Sequence, residues 1–220
     1  SNNILCPSST CSGALPFLIQ DNEVFQNGED GSDVGGVGAA RYCDAISQFV
    51  DVSGNWVHDH PAKGNINHNH CARYISIYNN LITGGGTGIG GYACPSFSLI
   101  AHNTIDISGG IGIWLYEGFI NAAVLNNIIV TGSSSSSIAP LTFGRGSMFP
   151  GTRIENNVAI ARTGGIAMAR NNAGGSSAAC AANPTTANCE NNTFPHCYNN
   201  GDGGFRCNTL GPPPARDICP

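Results

Sequence analysis

Charged side chains are scarce in this chain of 220 residues: they make up 10% of it, against about 25% in a typical globular protein. Lys63 is the sole lysine, and nine Lys and Arg against fourteen Asp and Glu leave a net charge of −5. Proteins that bind nucleic acid need a basic surface for the phosphates, so this class is excluded. No apolar run approaches the roughly 20 residues of a membrane-spanning helix, which argues against membrane insertion.

Cysteine, by contrast, is abundant. The ten cysteines are an even number and form no Cys-x-x-Cys pair, a pattern that favours disulfides over zinc ligation and requires no cofactor. Because disulfides persist in oxidising compartments, we expect an extracellular or cell-surface protein. A start at Ser1 without a signal peptide is what we expect of a processed or excised segment. The sequon Asn191-Asn192-Thr193 predicts N-glycosylation at Asn191.

One short sequence pattern, which we call the phrase, recurs between residues 17 and 170. It consists of an aliphatic residue, any two residues, an Asn, any one residue and a second aliphatic residue. Its six copies run over residues 19–24, 52–57, 77–82, 100–105, 124–129 and 154–159. The residue three positions before the Asn is Ile or Val in every copy, and the residue two positions after it is Ile, Val or Ala. A phrase that returns every 23 to 33 residues is typical of solenoids, in which each repeat packs on its neighbours.

A second short apolar segment, usually with Gly, follows most copies of the phrase after eight to eleven residues. Examples are residues 64–66, 88–90, 110–113 and 165–168. Each repeat therefore holds two or three short strands separated by turns and has no room for a helix. The β-branched residues suit strands, whereas Asn and Gly suit turns in which positive φ is tolerated.

The phrase and the Gly- and Ile-containing segments that follow it resemble the right-handed parallel β-helix of the pectate-lyase superfamily, over about 150 residues. This resemblance implies an all-β solenoid of about six coils. It also implies an internal ladder of stacked side-chain amides at one turn, formed by Asn22, Asn55, Asn80, Asn103, Asn127 and Asn157. The superfamily includes lyases, glycosidases, phage spikes and non-catalytic surface proteins, so the resemblance leaves the function open.

Two further columns test the register that this fold implies. Phe49, Tyr74 and Phe97 each lie six positions before a ladder Asn and are expected to stack. Cys71 and Cys94 each lie nine positions before one. Since adjacent parallel strands are about 4.8 Å apart, within the Cα separation that a disulfide accepts, we predict a Cys71–Cys94 bridge between adjacent coils.

The two ends lack the phrase. Residues 1–16 are expected to form an N-terminal cap, residues 17–170 the β-helix, and residues 171–220 a Cys-rich C-terminal cap or docking segment. A β-helix exposes unpaired strand edges at its ends and must cover them or pair them with another molecule. The irregular ends are therefore interpreted either as disulfide-stapled caps or as docking surfaces for a neighbouring subunit.

Candidate groups for chemistry form one polar run. It comprises His58, Asp59, His60 and Lys63, followed by His68 and His70. Histidines two apart on a strand point to one face and could share a metal, so His68 and His70 are weak metal candidates. The alternative interpretation is a solvated loop in the long second repeat.

An enzyme of this fold would draw on His58, Asp59, His60, Lys63 and Asp106. Glycosidases need two carboxyl groups about 5 to 9.5 Å apart, and Asp59 and Asp106 are predicted to lie two coils, roughly 10 Å, from each other. A polyuronate lyase needs a basic groove or a cluster of acids for Ca²⁺, and the repeat region contains neither. The sequence leaves enzymatic activity open and favours a non-catalytic protein.

Exposed aromatic rings are candidates for contact with sugars or partners. Trp114 and Tyr116 alternate with Leu115 and Ile113, so inward-facing aliphatic residues would turn both rings outward. Trp56 directly follows a ladder Asn, at a position where other copies have Leu81 and Ile128, and is expected in the core.

The function expected from these features is that of a non-catalytic extracellular structural module. It would dock or stack end to end in a larger cell-surface fibre or coat and would be glycosylated at Asn191. Self-association through the ends, with glycans as further partners, follows from this interpretation. The alternatives are a carbohydrate-active enzyme, lyase or glycosidase, and a glycan-binding module.

Overall fold

The computed structural model describes the chain at residues 17–26, 36–38, 48–60, 64–68, 73–91, 98–115, 122–133, 140–143, 152–163, 168–170 and 187–190. Within these ranges the chain forms short strands and no helix. Accordingly, the described part has no helix long and apolar enough to cross a membrane.

The strands form three sheets, and consecutive strands join the first, second and third sheet in turn. Sheet 1 contains β1 (Phe17–Gln20), β4 (Gln48–Ser53), β7 (Arg73–Tyr78), β10 (Leu99–Ala101), β13 (Ala123–Leu125), β16 (Thr152–Glu155) and β19 (Ala187–Glu190). Sheet 2 contains β2 (Glu23–Phe25), β5 (Trp56–His58), β8 (Leu81–Thr83), β11 (Thr104–Ile107), β14 (Ile128–Thr131) and β17 (Val158–Ala161). Sheet 3 contains β3 (Val37–Gly38), β6 (Gly64–Asn67), β9 (Thr87–Gly91), β12 (Ile111–Leu115), β15 (Leu141–Phe143) and β18 (Met168–Arg170).

Every strand pair is parallel, and each strand lies beside the strand three elements later in the chain. The expected all-β architecture of stacked parallel strands is thereby confirmed, and the topology is compatible with a parallel β-helix. We call each set of three consecutive strands, one per sheet, a rung.

Three columns of aliphatic side chains, one from each sheet, form the centre of the core. They are Val52, Ile77, Ile100, Val124 and Ile154 in sheet 1; Val57, Ile82, Ile105, Ile129 and Ala159 in sheet 2; and Ile66, Ile89, Ile113 and Leu141 in sheet 3. All of them are at most 1% exposed. The two aliphatic positions of the repeated phrase fill the first two columns, so the phrase encodes the corner between sheets 1 and 2.

That corner depends on one residue in the left-handed region. The residue directly before each ladder Asn has a φ between 54° and 66°: Asp21, Gly54, Asn79, His102, Asn126 and Asn156. Gly, Asn, Asp and His are the residues that tolerate this conformation best. The turn that they make carries the next residue, the ladder Asn, toward the interior.

The six asparagines form a continuous chain of side-chain hydrogen bonds. The Nδ2 of each donates to the Oδ1 of the next, at distances of 2.8 to 3.1 Å. Asn22 is exposed, whereas the other five are at most 2% exposed. Polar groups buried at the corner are thus satisfied by the same side chain one rung away.

Of the two other expected columns, one is partly described. The rings of Phe49 and Tyr74 stack with centroids 5.1 Å apart and planes 6° from parallel, while Phe97 lies outside the described residues. Cys71 and Cys94 also lie outside them, as do residues 1–16, so the bridge and the N-terminal cap stay predictions.

Sheet 1 continues beyond residue 170, where the six copies of the phrase end. β19 pairs with β16 in a register that sets Cys189 opposite Ile154 and Glu190 opposite Glu155. In this register the sequence from Cys189 to Phe194 is a seventh copy of the phrase, with Cys in place of Ile and Asn192 at the ladder position. The parallel stacking therefore extends into the segment expected to form the C-terminal cap.

Candidate functional site

The outward side of β2 and β5, at the first two rungs of sheet 2, carries a group of polar and aromatic side chains in contact with one another. Val24 and Val57 point inward at equivalent positions of the two strands, so their neighbours along each strand point outward. We call these outward residues, together with the next residue of the chain, the His58 cluster: Glu23, Phe25, Trp56, His58 and Asp59.

The His58 imidazole is held on all sides by this cluster. Its Nδ1 lies 2.9 Å from Asp59 Oδ2, and its Nε2 lies 3.2 Å from Glu23 Oε1. The ring stacks on Trp56, with centroids 4.2 Å apart, and on Phe25, with centroids 5.3 Å apart. Because Glu23 and Phe25 belong to the first rung and Trp56 to the second, His58 links the first two rungs.

These contacts shift the pKa of His58. The hydrogen bond to Asp59 makes the largest contribution and raises the pKa of His58 above its ordinary value of 6.5. Desolvation opposes this shift, whereas the hydrogen bond to Glu23 and the negative charges of Asp59 and Glu23 add to it. In the protonated ring both nitrogens donate to carboxylates. Glu23 and Asp59 thus engage both ring nitrogens of His58.

His60 does not share a face with His58, contrary to the expectation from their spacing. β5 ends at His58, and Asp59 adopts a φ of 58°, which turns the chain away from the sheet. His60 is completely buried, and its Nε2 lies 3.2 Å from the carbonyl oxygen of Val24. Spacing by two predicts a common face only while the strand continues, and here it ends between the two histidines.

Of the other two candidate ligands, His68 is described. His68 is buried, its Nδ1 lies 3.0 Å from the carbonyl oxygen of Gly90, and burial lowers the pKa of His68 to about 4. His70 and Lys63 lie outside the described residues. Within the described ranges, no group of three or more His, Cys, Asp or Glu side chains is arranged to hold a metal ion.

The two carboxylates proposed for glycosidase chemistry have separate surroundings. Asp106 lies in the column of His58, two strands further along sheet 2, a separation of about 10 Å. Its carboxylate forms an ion pair with Arg162. Asp59 borders a shallow depression of about 440 Å³, whose other lining residues are Gly85, Gly86, Ser108 and Gly109. The structure thus brings Asp59 to His58 and Asp106 to Arg162.

Trp56 was expected in the core, and this expectation is wrong. Its side chain is 44% exposed, and the equivalent residues Leu81 and Ile128 are 43% and 50% exposed. The position after the ladder Asn faces outward because the next position, two after the Asn, fills the core. Trp56 Nε1 donates a hydrogen bond of 3.1 Å to Thr83 Oγ1, which orients the ring along the outer side of sheet 2.

Trp114 lies on the outer side of sheet 3, between Gly90 and Thr142 on the neighbouring strands, and is half-buried. Ile113 and Leu115, on either side of it, are buried in the core, as the alternation predicts. Tyr116 and the glycosylation sequon at Asn191 lie outside the described residues.

The first rung also forms an end surface that the sequence analysis did not single out. We call it the N-terminal face: the outer edges of β1 and β2, with Phe17, Leu18, Asn22 and Phe25. Phe17, Leu18 and Phe25 are 40%, 52% and 49% exposed, and Asn22 is exposed. Among the described strands, β1 has β4 as its one neighbour and β2 has β5. The indication in the sequence was the run Phe17-Leu18 before the first copy of the phrase, in which Leu18 occupies an outward position and Phe17 aligns with the buried Val50.

Comparison with protein-family models, with curated proteins and with solved structures found no match to this chain.

Proposed function

We propose that this chain is a non-catalytic extracellular module, a right-handed parallel β-helix of the pectate-lyase-like type, that stacks end to end in a surface fibre or coat. The observation that carries the proposal is the set of exposed apolar side chains at the N-terminal face, Phe17, Leu18 and Phe25. Edge strands are templates for pairing, and proteins that remain monomeric protect them with charge, proline or a cover. β1 consists of Phe, Leu, Ile and Gln, with two exposed apolar side chains and no charge.

The remaining features agree with a structural role. Low charge lets copies approach closely, and ten cysteines suit an oxidising environment outside the cell. Three of the groups suggested for catalysis have charged partners: His58 and Asp59 contact each other, and Asp106 forms an ion pair with Arg162. This engagement argues against the lyase and glycosidase alternatives.

The test is the size of the protein as a function of concentration, by size-exclusion chromatography with light scattering and by electron microscopy. The Leu18→Lys variant puts a charge on the N-terminal face at an exposed position, so the fold is retained while stacking is weakened. Thr104→Lys adds the same charge at an exposed position in the middle of sheet 2 and is the matched control.

We expect the natural sequence and Thr104→Lys to form end-to-end assemblies, and Leu18→Lys to need at least tenfold higher concentration. A natural sequence that stays a 22.7 kDa monomer at every concentration would refute the proposal.

Glycan binding on sheet 2 is a second candidate, favoured by the exposed Trp56 ring. An aromatic face of this kind can stack on a sugar ring, and the hydrogen bond to Thr83 holds it in place. The test is a glycan-array measurement with Trp56→Ala and, as control, Leu81→Ala in the equivalent position on the next strand. Binding that is lost in the first variant and kept in the second supports this function; the absence of any binding contradicts it.

A further inference from the structure

The contact between His58 and Glu23 joins the second rung to the first. His58 belongs to β5 and Glu23 to β2, and the two strands pair in parallel with His58 beside Phe25. His58 Nε2 lies 3.2 Å from Glu23 Oε1, whereas Nδ1 lies 2.9 Å from Asp59 Oδ2. The imidazole therefore contacts one carboxylate in its own rung and one in the neighbouring rung.

Both contacts are favourable only when the ring is protonated. An imidazolium carries an N–H on each nitrogen and can donate to both carboxylates, while a neutral imidazole has one N–H and one lone pair. In the neutral ring, the lone pair faces one of the two carboxylates and is repelled by it. Deprotonation of His58 therefore breaks one of the two contacts and keeps the other.

The geometry favours Asp59 as the partner that is kept. Its carboxylate is closer to the ring than that of Glu23, at 2.9 Å against 3.2 Å. The backbone N–H of Asp59 donates to the carbonyl oxygen of Thr83, which fixes the start of a short side chain. The exposed Glu23 side chain has one more rotatable bond and can turn into solvent. The neutral ring thus keeps its proton on Nδ1 and presents its Nε2 lone pair to Glu23.

We propose that His58 is a proton-dependent link between the first two rungs. The protonated ring holds Glu23 and with it β2, and loss of the proton from Nε2 releases Glu23 while the contact with Asp59 persists. This link acts within one chain and is independent of the proposed end-to-end stacking.

The link is formed in acid and lost toward alkaline pH. The hydrogen bond to Asp59 is the largest cause that raises the pKa of His58 above 6.5, and the contact with Glu23 adds to it. A raised pKa means that the link is fully formed below about pH 6.5 and is lost as pH rises through the folded-state pKa.

The charged groups around His58 are few in the described part. Glu23 faces it from β2 and Asp59 from the turn after β5, while β8 places the uncharged Thr83 beside it. Asp106 lies two strands further along the same column, about 10 Å away, and is paired with Arg162. The two carboxylates in contact with the ring are therefore the groups that respond to its proton.

Further bonds join the first two rungs independently of this proton. Asn22 Nδ2 donates to Asn55 Oδ1 at 3.1 Å, and Gln20 Nε2 donates to Ser53 Oγ at 3.0 Å. The N–H of Trp56 also donates to the carbonyl oxygen of Asn22. Release of Glu23 therefore loosens β2 locally and leaves the fold in place.

The first test is the tautomer of the neutral ring. Long-range ¹H–¹⁵N correlation spectra at about pH 9, above the titration range of an ordinary imidazole, identify the nitrogen of His58 that carries the proton. We expect Nδ1–H. A neutral ring with its proton mainly on Nε2 would overturn the proposal, because it would keep Glu23 and release Asp59.

The second test is hydrogen exchange of β2 in dilute protein. Protection factors, which correct for the effect of pH on the exchange chemistry, are compared at about pH 5.5 and about pH 9, with β11 as the internal reference. We expect the protection of β2 to fall about two- to fivefold more than that of β11 as pH rises, the effect of one exposed ion pair. Equal changes in the two strands would overturn the proposal.

Three variants assign the effect to the proposed contact. Glu23→Gln can accept from an N–H or donate to a lone pair, and His58→Phe keeps a stacking ring without nitrogen, so each should abolish the pH effect on β2. Asp106→Asn removes a carboxylate from the same column without touching His58 and should keep it. A pH effect that persists in His58→Phe would assign it to another group, such as His60 at the carbonyl oxygen of Val24, and would refute the link.

Discussion

At the scale of single residues, a buried ladder asparagine satisfies several polar groups at once. Asn103 is 1% exposed; it donates to Ile77 O and Asn127 Oδ1, and it accepts from the backbone and side-chain nitrogens of Asn80. Three consecutive rungs therefore meet at one amide. The preceding residue, His102, takes the positive φ that brings the amide inside.

Asn103→Ala should lower the free energy of unfolding by about 2–4 kcal/mol, since it strands several buried groups at 1–3 kcal/mol each. Asn22→Ala, at the exposed end of the ladder, should lower it by less than about 1 kcal/mol. Urea denaturation of both variants below the assembly concentration measures the difference. Equal losses in the two would mean that the ladder contributes no stability of its own.

His58 gives a prediction about pH. Because Asp59 makes the largest contribution to raising the pKa of His58, Asp59→Asn should lower that pKa more than Glu23→Gln does. NMR titration of the imidazole resonances measures both. Because the pKa is raised on folding, the ion pairs stabilise the protein fully below about pH 6.5, and this contribution is lost as pH rises through the folded-state pKa. A larger decrease in Glu23→Gln would contradict the assignment of Asp59 as the main partner.

At the scale of elements, the corner between sheets 2 and 3 is constrained by close backbone approach. A Cβ added at Gly109 would lie 1.9 Å from the carbonyl oxygen of Gly86 in the preceding rung, whereas a Cβ added at Gly86 would meet nothing within 4 Å. Gly109→Ala should therefore cost about 1–3 kcal/mol of stability, and Gly86→Ala less than about 0.5 kcal/mol. Thermal unfolding of the two variants measures this difference. Similar melting temperatures would show that the rungs can separate at Gly109 without a loss of stability.

The strands of the corner between sheets 1 and 2 were predictable from sequence because one short phrase specifies two inward columns, a positive-φ residue and an amide. The directions in which side chains point outside these positions were not predictable from the sequence. Trp56 was misplaced because an apolar residue beside the Asn looks like core when the direction of the chain there is unknown. His58 and His60 were misjudged because the residue with positive φ that ends the strand is Asp59 and not Gly, and the seventh copy was missed because Cys189 replaces its aliphatic residue.

At the scale of the whole molecule, a stack of rungs gains stability from each neighbouring pair, so its ends are the least protected part. The rung at the N-terminal face has a neighbour on one side only among the described strands. Adding a second copy would convert it into an internal rung, with the hydrogen bonds that internal rungs have. Assembly should therefore be visible at single amides of the first rung.

The amide of Glu23 is the most informative of these. Trp56 N–H, its equivalent in the second rung, is bonded to Asn22 O at 2.9 Å and should exchange slowly with deuterium at every concentration. Glu23 N–H should exchange rapidly in the dilute monomer and slow by at least tenfold under assembling conditions, because the partner copy then supplies its acceptor. Hydrogen exchange followed by NMR or by mass spectrometry of short peptides measures both amides in one sample. Rapid exchange at Glu23 within assembled protein would place the contact elsewhere than the N-terminal face, whatever the shape of the assembly.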